Sequence, residues 1–155
     1  MITPDKFKEV VSHFATGVTI VTGKNEEKNY GFTCQTFLSL SLNPPLIAIA
    51  VSMASTSWPK IYSSGFFAVN VLTRGQTELA NTFAISGIDK FKDVKFDIGV
   101  TGSPLLNGCL GYIEAEIERV IPAGDHFVVV AKVIDLSRRP GEPLLYFKSK
   151  FGKFI

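Results

Sequence analysis

Apolar and polar residues alternate along much of this 155-residue chain, which predicts strands more often than helices. Residues 18–22 alternate aliphatic residues with threonine, and residues 46–51 form an apolar run typical of a strand buried on both faces. In residues 113–118, apolar side chains alternate with three glutamates, which indicates an antiparallel strand with one solvated face. Further strands are predicted from Tyr30, near Phe96, and at 66–72, 126–136 and 144–147.

Helical signals are fewer and shorter. Thr3 and Pro4 are a typical N-cap and first helical residue, and Gly17 is expected to end this helix. Its apolar side chains share one helical face: Phe7, Val10, Val11 and Phe14. Short helices are also predicted around Trp58 within residues 55–64 and after a capping box at 73–76. The whole pattern predicts a mainly β protein built as a closed or nearly closed antiparallel barrel.

Residues 31–45 (GFTCQTFLSLSLNPP) combine hydroxyl and amide side chains with apolar ones. Two interpretations are open. In the first, the hydroxyls belong to a strand and face water; in the second, the segment is the wall of a site for a flat, amphipathic ligand. In the second case we expect Phe32, Phe37, Leu38 and Leu40 to anchor the wall from behind.

Composition excludes several classes of function. The hydrophobic fraction of 46% and charged fraction of 19% are those of a globular protein, and we expect one domain over 1–155. A net charge of +2 with scattered basic residues gives no case for nucleic acid, and no apolar segment is long enough for a membrane span. Cys34 and Cys109 lack metal-ligand spacing, so we expect free thiols in a cytoplasmic protein, with a disulfide as the alternative.

Five stretches, in this order, carry a resemblance to a known family: FATGVTIVT at 14–22, the segment 31–45, VNVL at 69–72, GDH at 124–126 and PLLYF at 143–147. The chain resembles the flavin reductases over residues 14–151. These are small split-barrel proteins of the FMN-binding type, and they include the reductase partners of two-component flavin monooxygenases. The resemblance implies an antiparallel split β-barrel with an N-terminal helix, usually paired as a homodimer.

The same resemblance implies a flavin site in three parts. The ring and ribityl contacts fall on Thr33, Cys34, Gln35, Thr36, Phe37 and Ser39. Phosphate contacts fall on Ser52, Ser55 and Thr56, where a helix beginning near Thr56 would direct N–H groups at the anion. A second flavin-contacting region falls on Phe83, Ala84 and Lys90, with Lys90 pairing with the phosphate. Cys34 as a small filler, the hydroxyls as ordinary caps and Lys90 as a solvated lysine are the alternatives.

For the nicotinamide, the resemblance implies contacts at Ser39, His126 and Lys150. His126 would stack on the nicotinamide or hydrogen-bond its carboxamide, and Lys150 would meet phosphates. Hydride transfer needs no protein acid, so no catalytic residue is expected beyond positioning. Asn70 is expected to be a buried amide that satisfies backbone groups, and His13 to be structural or exposed.

The implied function is an NAD(P)H-dependent flavin reductase. It would transfer hydride from NADH or NADPH to FMN or FAD and pass the reduced flavin to a monooxygenase or another acceptor. The alternatives are a non-catalytic FMN-binding electron carrier, a ferric reductase, and a barrel interaction module without a cofactor. The chain has no Ser/His/Asp set, metal cluster, GxGxxG or P-loop to favour other chemistries.

Overall fold

The computed structural model describes all 155 residues and contains twelve strands and three short helices. The strands are β1 (Thr16–Gly17), β2 (Thr19–Asn25), β3 (Lys28–Cys34), β4 (Leu38–Leu42), β5 (Pro45–Ser52), β6 (Phe66–Val71), β7 (Phe96–Ile98), β8 (Pro104–Leu106), β9 (Gly111–Ala123), β10 (His126–Arg138), β11 (Leu144–Phe147) and β12 (Lys150–Lys153). The helices are α1 (Pro4–Val11), α2 (Trp58–Ser64) and α3 (Thr77–Phe83). The prediction of a mainly β protein is confirmed.

Seven strands form one antiparallel sheet in the order β3-β2-β6-β9-β10-β5-β4. The two end strands, β3 and β4, are consecutive in the chain, so the sheet curls until its ends approach each other. Contacts between β3 and β5 span the gap without continuous strand pairing. This is the predicted split barrel, and its opening lies beside the segment predicted to hold a ligand.

The apolar residues separate into two clusters. One fills the barrel between β2, β5, β6, β9 and β10 and includes Trp58, Ile61 and Phe67. The other packs α3 and β8 against β2, with Phe83 and Leu106 fully buried. Asn70 lies between them: its amide nitrogen donates to Ile20 O at 3.0 Å and its Oδ1 accepts from Leu106 N at 2.8 Å. The buried-amide prediction for Asn70 is therefore confirmed.

Two helix predictions need correction. Helix α1 ends at Val11, six residues before Gly17, and Gly17 belongs to β1. The helix also buries none of its residues: its apolar face is exposed to solvent, with Phe14 beyond its end 80% exposed. The Thr73–Gln76 bond of the predicted capping box does form, from Thr73 N to Gln76 Oε1 at 2.9 Å, but α3 begins only at Thr77. Periodicity correctly identified the apolar face of α1, but this face is not buried against the rest of the chain.

The solvated-face interpretation of the glutamates in β9 is wrong for one of them. Glu116 and Glu118 are exposed, whereas Glu114 is 2% exposed. Its carboxylate accepts from Val100 N at 3.1 Å, from Thr101 N at 2.9 Å and from the Thr101 hydroxyl at 2.6 Å. The loop between β7 and β8 folds over this part of the strand, and strand alternation alone does not reveal a covering loop.

Both cysteines are free, as expected, and both are buried. Burial raises the pKa of the Cys109 thiol to about 11. None of the three helices has the length and apolar character needed to cross a bilayer.

Candidate active site

The site is organised around the segment 35–37, called here the seam segment, which joins β3 to β4 across the barrel opening. Thr36 replaces the missing strand pairing at this point. Its hydroxyl accepts from Ala50 N at 2.9 Å and donates to Ala50 O at 3.0 Å, so one side chain satisfies both backbone groups of a residue in β5. This holds the exposed Gln35 beside the opening.

A groove of about 490 Å³ runs from the seam segment towards α2 and the turn after α3. We call it the polar groove. Ten of the twelve residues predicted to contact flavin line it, together with His126. These ten are Thr33, Cys34, Gln35, Thr36, Ser52, Ser55, Thr56, Phe83, Ala84 and Lys90. Lys90 is the only lysine or arginine in the lining, and no carboxylate side chain lines it, so the groove suits an anionic ligand.

A second cavity of about 660 Å³, the apolar cavity, lies on the other side of the seam segment. It shares Gln35, Thr36 and Ala50 with the polar groove, so the two spaces adjoin. Its walls are mainly apolar and come from the segment 14–18 and from β4, β5 and β10. Together the two spaces offer an apolar surface on one side and hydroxyls and a cation on the other, which matches a ligand with a flat ring and a phosphate.

Gly31 explains how Lys90 is held in the groove. Its carbonyl accepts from Lys90 Nζ at 2.8 Å and from the Ser57 hydroxyl at 3.1 Å, while Lys90 also donates to Phe83 O at 3.0 Å. A side chain at position 31 would place its Cβ 2.8 Å from the Phe83 ring, so only glycine allows this close approach. An ammonium group has three donors, and two are used here, which leaves one for a ligand.

Desolvation lowers the pKa of Lys90 from the ordinary value of a lysine. The alternative of a solvated surface lysine does not apply, because the ammonium is held against two backbone carbonyls. A partly desolvated cation in a groove lined by hydroxyl groups is a typical partner for phosphate. The phosphate contact itself stays a prediction.

The helix expected near Thr56 begins later and is too short to act as an anion site. Helix α2 starts at Trp58 and has seven residues, with Pro59 in its first turn. Several of the hydroxyls serve the backbone: Ser55 Oγ accepts from Trp58 N at 3.2 Å and Ser52 Oγ from Ala54 N at 3.1 Å. Both hydroxyls thus have backbone partners, although neither residue is the N-cap of α2, which is Ser57. Both line the groove, and Thr56 is exposed there, so their phosphate contacts stay predictions.

Thr33 and Cys34 have protein partners as well. The Thr33 hydroxyl donates to Ala80 O at 2.5 Å, which ties β3 to α3 and leaves its lone pairs as acceptors. Cys34 is 5% exposed, and its thiol donates to Thr36 O at 3.3 Å. Burial raises the pKa of this thiol, so it stays protonated and acts as a small filler under the seam segment.

His126 begins β10 at the edge of the polar groove and lies opposite Ser52 of β5. Its Nδ1 lies 2.7 Å from Asp125 Oδ1, and this hydrogen bond lowers the pKa of the Asp125 carboxyl. The imidazole is about half exposed, so Asp125 fixes the ring while leaving its other nitrogen free to meet a ligand. The geometry suits a positioning residue.

Comparison with known proteins decides the family. The profile described as the flavin reductase like domain matches residues 11–154. The chain belongs to the flavin reductase family.

Its relatives extend over almost the whole chain. It is 38% identical over 153 residues to the flavin-dependent monooxygenase reductase subunit HsaB of Mycobacterium tuberculosis, covering 97% of this chain and 82% of that protein. It is 36% identical to a flavin reductase of Pseudomonas putida, covering 99% and 91%. The NADH:FAD oxidoreductase SgcE6 of Streptomyces globisporus, solved with NAD and FAD fragments, superimposes with a TM-score of 0.93 at 32% identity, covering 100% of this chain and 96% of that one.

Three residues predicted for the site of this flavin reductase family member lie outside the polar groove. Phe37 lines the apolar cavity instead. Ser39 lies in the edge strand β4, opposite Ile47, and lines neither space. Lys150 begins β12 and is exposed away from both. Their contacts with flavin or nicotinamide stay predictions.

The edge strand β4 is irregular and does not form the expected wall. A register shift at Leu40 places Ser39 opposite Ile47 but Ser41 opposite Leu46, so these two serines do not share a face. Phe37, Leu38 and Leu40 are 40%, 55% and 44% exposed and do not pack behind the wall, whereas Phe32 does pack on the barrel core. These side chains belong to an edge strand that nothing in the chain covers.

Sequence reasoning missed several lining residues. Thr16 lines the apolar cavity, and its buried hydroxyl has no hydrogen-bond partner in the protein. Ala50 borders both spaces, and Ser86 lines the polar groove. The alternation of small residues in β5 was the available signal. Ala48 and Ala50 line the cavity, whereas the alternate positions Ile47, Ile49 and Val51 belong to the barrel core, with Ile49 also bordering the cavity.

Proposed function

We propose that this protein is an NAD(P)H:flavin oxidoreductase that transfers hydride from a reduced nicotinamide to FMN or FAD. One observation carries the proposal: ten residues assigned to flavin by the family resemblance meet in one groove that also contains His126 and a single cation. Family membership over residues 11–154 supports it, as do relatives named NADH-dependent FAD reductase and FMN reductase (NADH). We further propose that residues 1–155 act as one domain.

Each part of a flavin has a complementary surface in the site. The phosphate would lie between Lys90 and Thr56, where the third ammonium donor and an exposed hydroxyl are available. The ring would lie along the seam segment, with Gln35 and Thr36 at its polar edge and the apolar cavity beside its hydrocarbon part. Cys34 packs beneath the seam segment, and because burial raises the pKa of its thiol, no thiolate would lie near the ring.

Once bound, a flavin accepts the hydride at its ring while the nicotinamide leaves in oxidised form. The protein contributes geometry to this step. Asp125 holds the His126 imidazole, which would contact the nicotinamide at the open edge of the groove. Because the transfer requires close approach and correct orientation of two rings, positioning accounts for the role of His126 without acid–base chemistry.

The reduced flavin would be passed to a monooxygenase component. Two relatives support this. HsaB is the reductase subunit of a flavin-dependent monooxygenase, and a relative from Rhodococcus opacus is the reductase component of a 4-nitrophenol monooxygenase. Such a role requires the flavin to leave the site, and the exposure of the groove residues Thr56, Ala84 and Ser86 is compatible with release.

We also propose a homodimer. The apolar face of α1 and the edge strand β4 expose large side chains, among them Phe7, Val10 and Leu42 at 60%, 59% and 92%. Phe14 and Leu38 belong to the same exposed set and line the apolar cavity. A second copy packed on this surface would bury these residues and close the cavity over the flavin ring.

Anaerobic mixing of the purified protein and FMN or FAD with NADH or NADPH tests the function. We expect the flavin absorption band to bleach much faster than in a mixture without protein. A protein that binds flavin but does not accelerate bleaching is an electron carrier, and one that binds neither flavin is an interaction module. Either result would contradict the proposal.

A further inference from the structure

Thr36 lies at the point where the pairing of β4 with β5 stops, and the strand register shows what its side chain replaces. Leu38 of β4 lies opposite Ala48 of β5. Two residues further along each strand, a regular antiparallel ladder would place Thr36 opposite Ala50. Ala50 does direct its N–H and C=O groups at the seam segment, but both bond to the Thr36 hydroxyl. The side chain thus occupies the place that the Thr36 backbone would have in a continuous ladder.

This exchange leaves the amide groups of the seam segment unpaired. The backbone N–H groups of Gln35, Thr36 and Phe37 donate no hydrogen bond within the protein, and all three residues are exposed. A continuous ladder would commit the Thr36 N–H to Ala50 O. The seam segment therefore offers three consecutive free donors at the place where the polar groove and the apolar cavity adjoin.

The Thr36 hydroxyl itself is already occupied. A hydroxyl has one donor and two acceptor positions. Its proton is donated to Ala50 O at 3.0 Å, and it accepts from Ala50 N at 2.9 Å. The Cys34 Sγ lies 3.2 Å away and supplies a donor for the second lone pair. Each position has a protein partner within reach, so this side chain acts on a ligand through the backbone that it holds.

We propose that Thr36 is a positioning residue of the flavin site, because its side chain ends the β4–β5 ladder and keeps the amide groups of residues 35–37 free for the flavin ring. The inference rests on the proposed flavin site, whose ring lies along the seam segment. It changes the role that the family resemblance implies for Thr36: the hydroxyl binds Ala50, and the backbone of the segment meets the polar edge of the ring.

Flavin titrations of two variants at this position test the role. Thr36→Val keeps the shape of the side chain and removes the hydroxyl. We expect it to weaken the binding of riboflavin and of FMN by the same factor, roughly tenfold, because ring contacts are lost while the phosphate contact stays. Thr36→Ser restores the hydroxyl and should recover most of the affinity for both flavins.

Ser64→Ala is the matched control. The Ser64 hydroxyl also bonds both backbone groups of a single residue, accepting from Phe66 N at 3.3 Å and donating to Phe66 O at 3.1 Å. Ser64 lines neither the polar groove nor the apolar cavity, so its loss should leave both flavin affinities unchanged.

Three results of these titrations would overturn the inference while flavin binding by the wild type upholds the site. They are wild-type riboflavin affinity in Thr36→Val, no recovery in Thr36→Ser, and an equal loss of affinity in Ser64→Ala, which would reduce the effect to general destabilisation. A wild type that binds neither flavin would overturn both the inference and the proposed function.

Amide hydrogen exchange, followed residue by residue with NMR, needs no variant and separates positioning from direct contact by the hydroxyl. We expect the Ala50 amide to be protected both in the free protein and with FMN bound. The amides of residues 35–37 should exchange fast in the free protein and slowly with FMN. Loss of Ala50 protection in the complex would show that the Thr36 hydroxyl turns to the flavin, and fast exchange of 35–37 in the complex would show that these amides do not bind it. Either result would overturn the positioning role.

Discussion

Lys90 shows how a single side chain can be prepared for a ligand before the ligand arrives. Two backbone carbonyls, Gly31 O and Phe83 O, hold its ammonium in the lining of the polar groove. These bonds fix the direction of the third donor. The cost of ordering a long side chain is therefore met during folding and not during binding.

Removing this cation should affect phosphate recognition alone. We expect Lys90→Met to weaken FMN binding by roughly tenfold or more, because a charge-assisted hydrogen bond is lost. Riboflavin, which lacks the phosphate, should bind wild type and variant equally. Fluorescence titration with both flavins measures the difference, and an equal loss for FMN and riboflavin would show that Lys90 only supports the fold.

The same contact should depend on pH. Because desolvation lowers the pKa of Lys90 below the ordinary 10.5, the free protein loses this charge at a lower pH than an exposed lysine would. FMN affinity should therefore be full near neutral pH, where the phosphate is dianionic, and should fall as the pH rises through the lowered pKa. Riboflavin affinity, measured in parallel, should not follow this curve.

His126 should separate nicotinamide use from flavin binding. We expect His126→Ala to raise the KM for NADH several-fold while the Kd for FMN stays within about twofold of wild type. Steady-state kinetics and flavin titration provide the two numbers. His13→Ala is the control, because His13 is the other histidine and lies on the exposed end of α1. Parallel loss of both parameters in His126→Ala would contradict a positioning role.

At the scale of elements, β9 shows most clearly where alternation misleads. Glu114 and Glu116 occupy the same face of the strand, yet only Glu114 lies beneath the loop between β7 and β8. Its carboxylate accepts three hydrogen bonds from Val100 and Thr101. A Cβ on Gly99 would collide with this carboxylate, so the loop lies against the strand too closely for any other residue there.

Truncating this carboxylate should destabilise the protein. We expect Glu114→Ala to lower the free energy of unfolding by about 2–4 kcal/mol, since buried N–H donors lose their acceptor. Glu116→Ala, on the exposed part of the same strand, should change it by less than about 0.5 kcal/mol. Urea denaturation followed by circular dichroism compares them. Equal stability of the two variants would mean that water replaces the Glu114 contacts.

The strands themselves were largely predictable, and the reasons are local. Alternation in residues 18–22 and 113–118 reflects the two faces of a strand, and Gly65 ends α2 with φ of 81°, as a glycine after a short helix predicts. The shift at Leu40 and the early end of α1 were not predictable, because pairing with β5 and the surroundings of residues 12–17 involve contacts distant in sequence.

At the scale of the whole molecule, the barrel opening explains why the site lies where it does. The sheet begins at β3 and ends at β4, so its two unpaired edges meet at the seam segment. Backbone groups there cannot all pair within the sheet, and Thr36 satisfies those of Ala50. The family resemblance identified residues 33–36, 52–56 and 83–90, but only the barrel brings them together.

The remaining parts of the site were beyond sequence reasoning for a physical reason. The apolar cavity exists only because separate segments pack around it. Thr16 falls within the helix that was expected to end at Gly17, and its role in lining the cavity depends on contacts with β4 and β5 that are distant in sequence.

The exposed apolar surface leads to a prediction about assembly. We expect the wild type to be a dimer, and Val10→Lys to yield a monomer or to weaken the dimer at least tenfold by placing a charge in the interface. Glu9→Lys, on the opposite face of α1, should leave the dimer intact. Sedimentation velocity distinguishes these states. A monomeric wild type would show that this surface is covered in another way or not at all.

The central claim is that a flavin lies along the seam segment with its phosphate at Lys90. A crystal structure of the protein soaked with FMN tests it most directly. We predict density for the ring beside Gln35 and Thr36 and for the phosphate within hydrogen-bonding distance of Lys90 Nζ and the Thr56 hydroxyl. Flavin bound elsewhere on the molecule, with the polar groove free of it, would contradict the account.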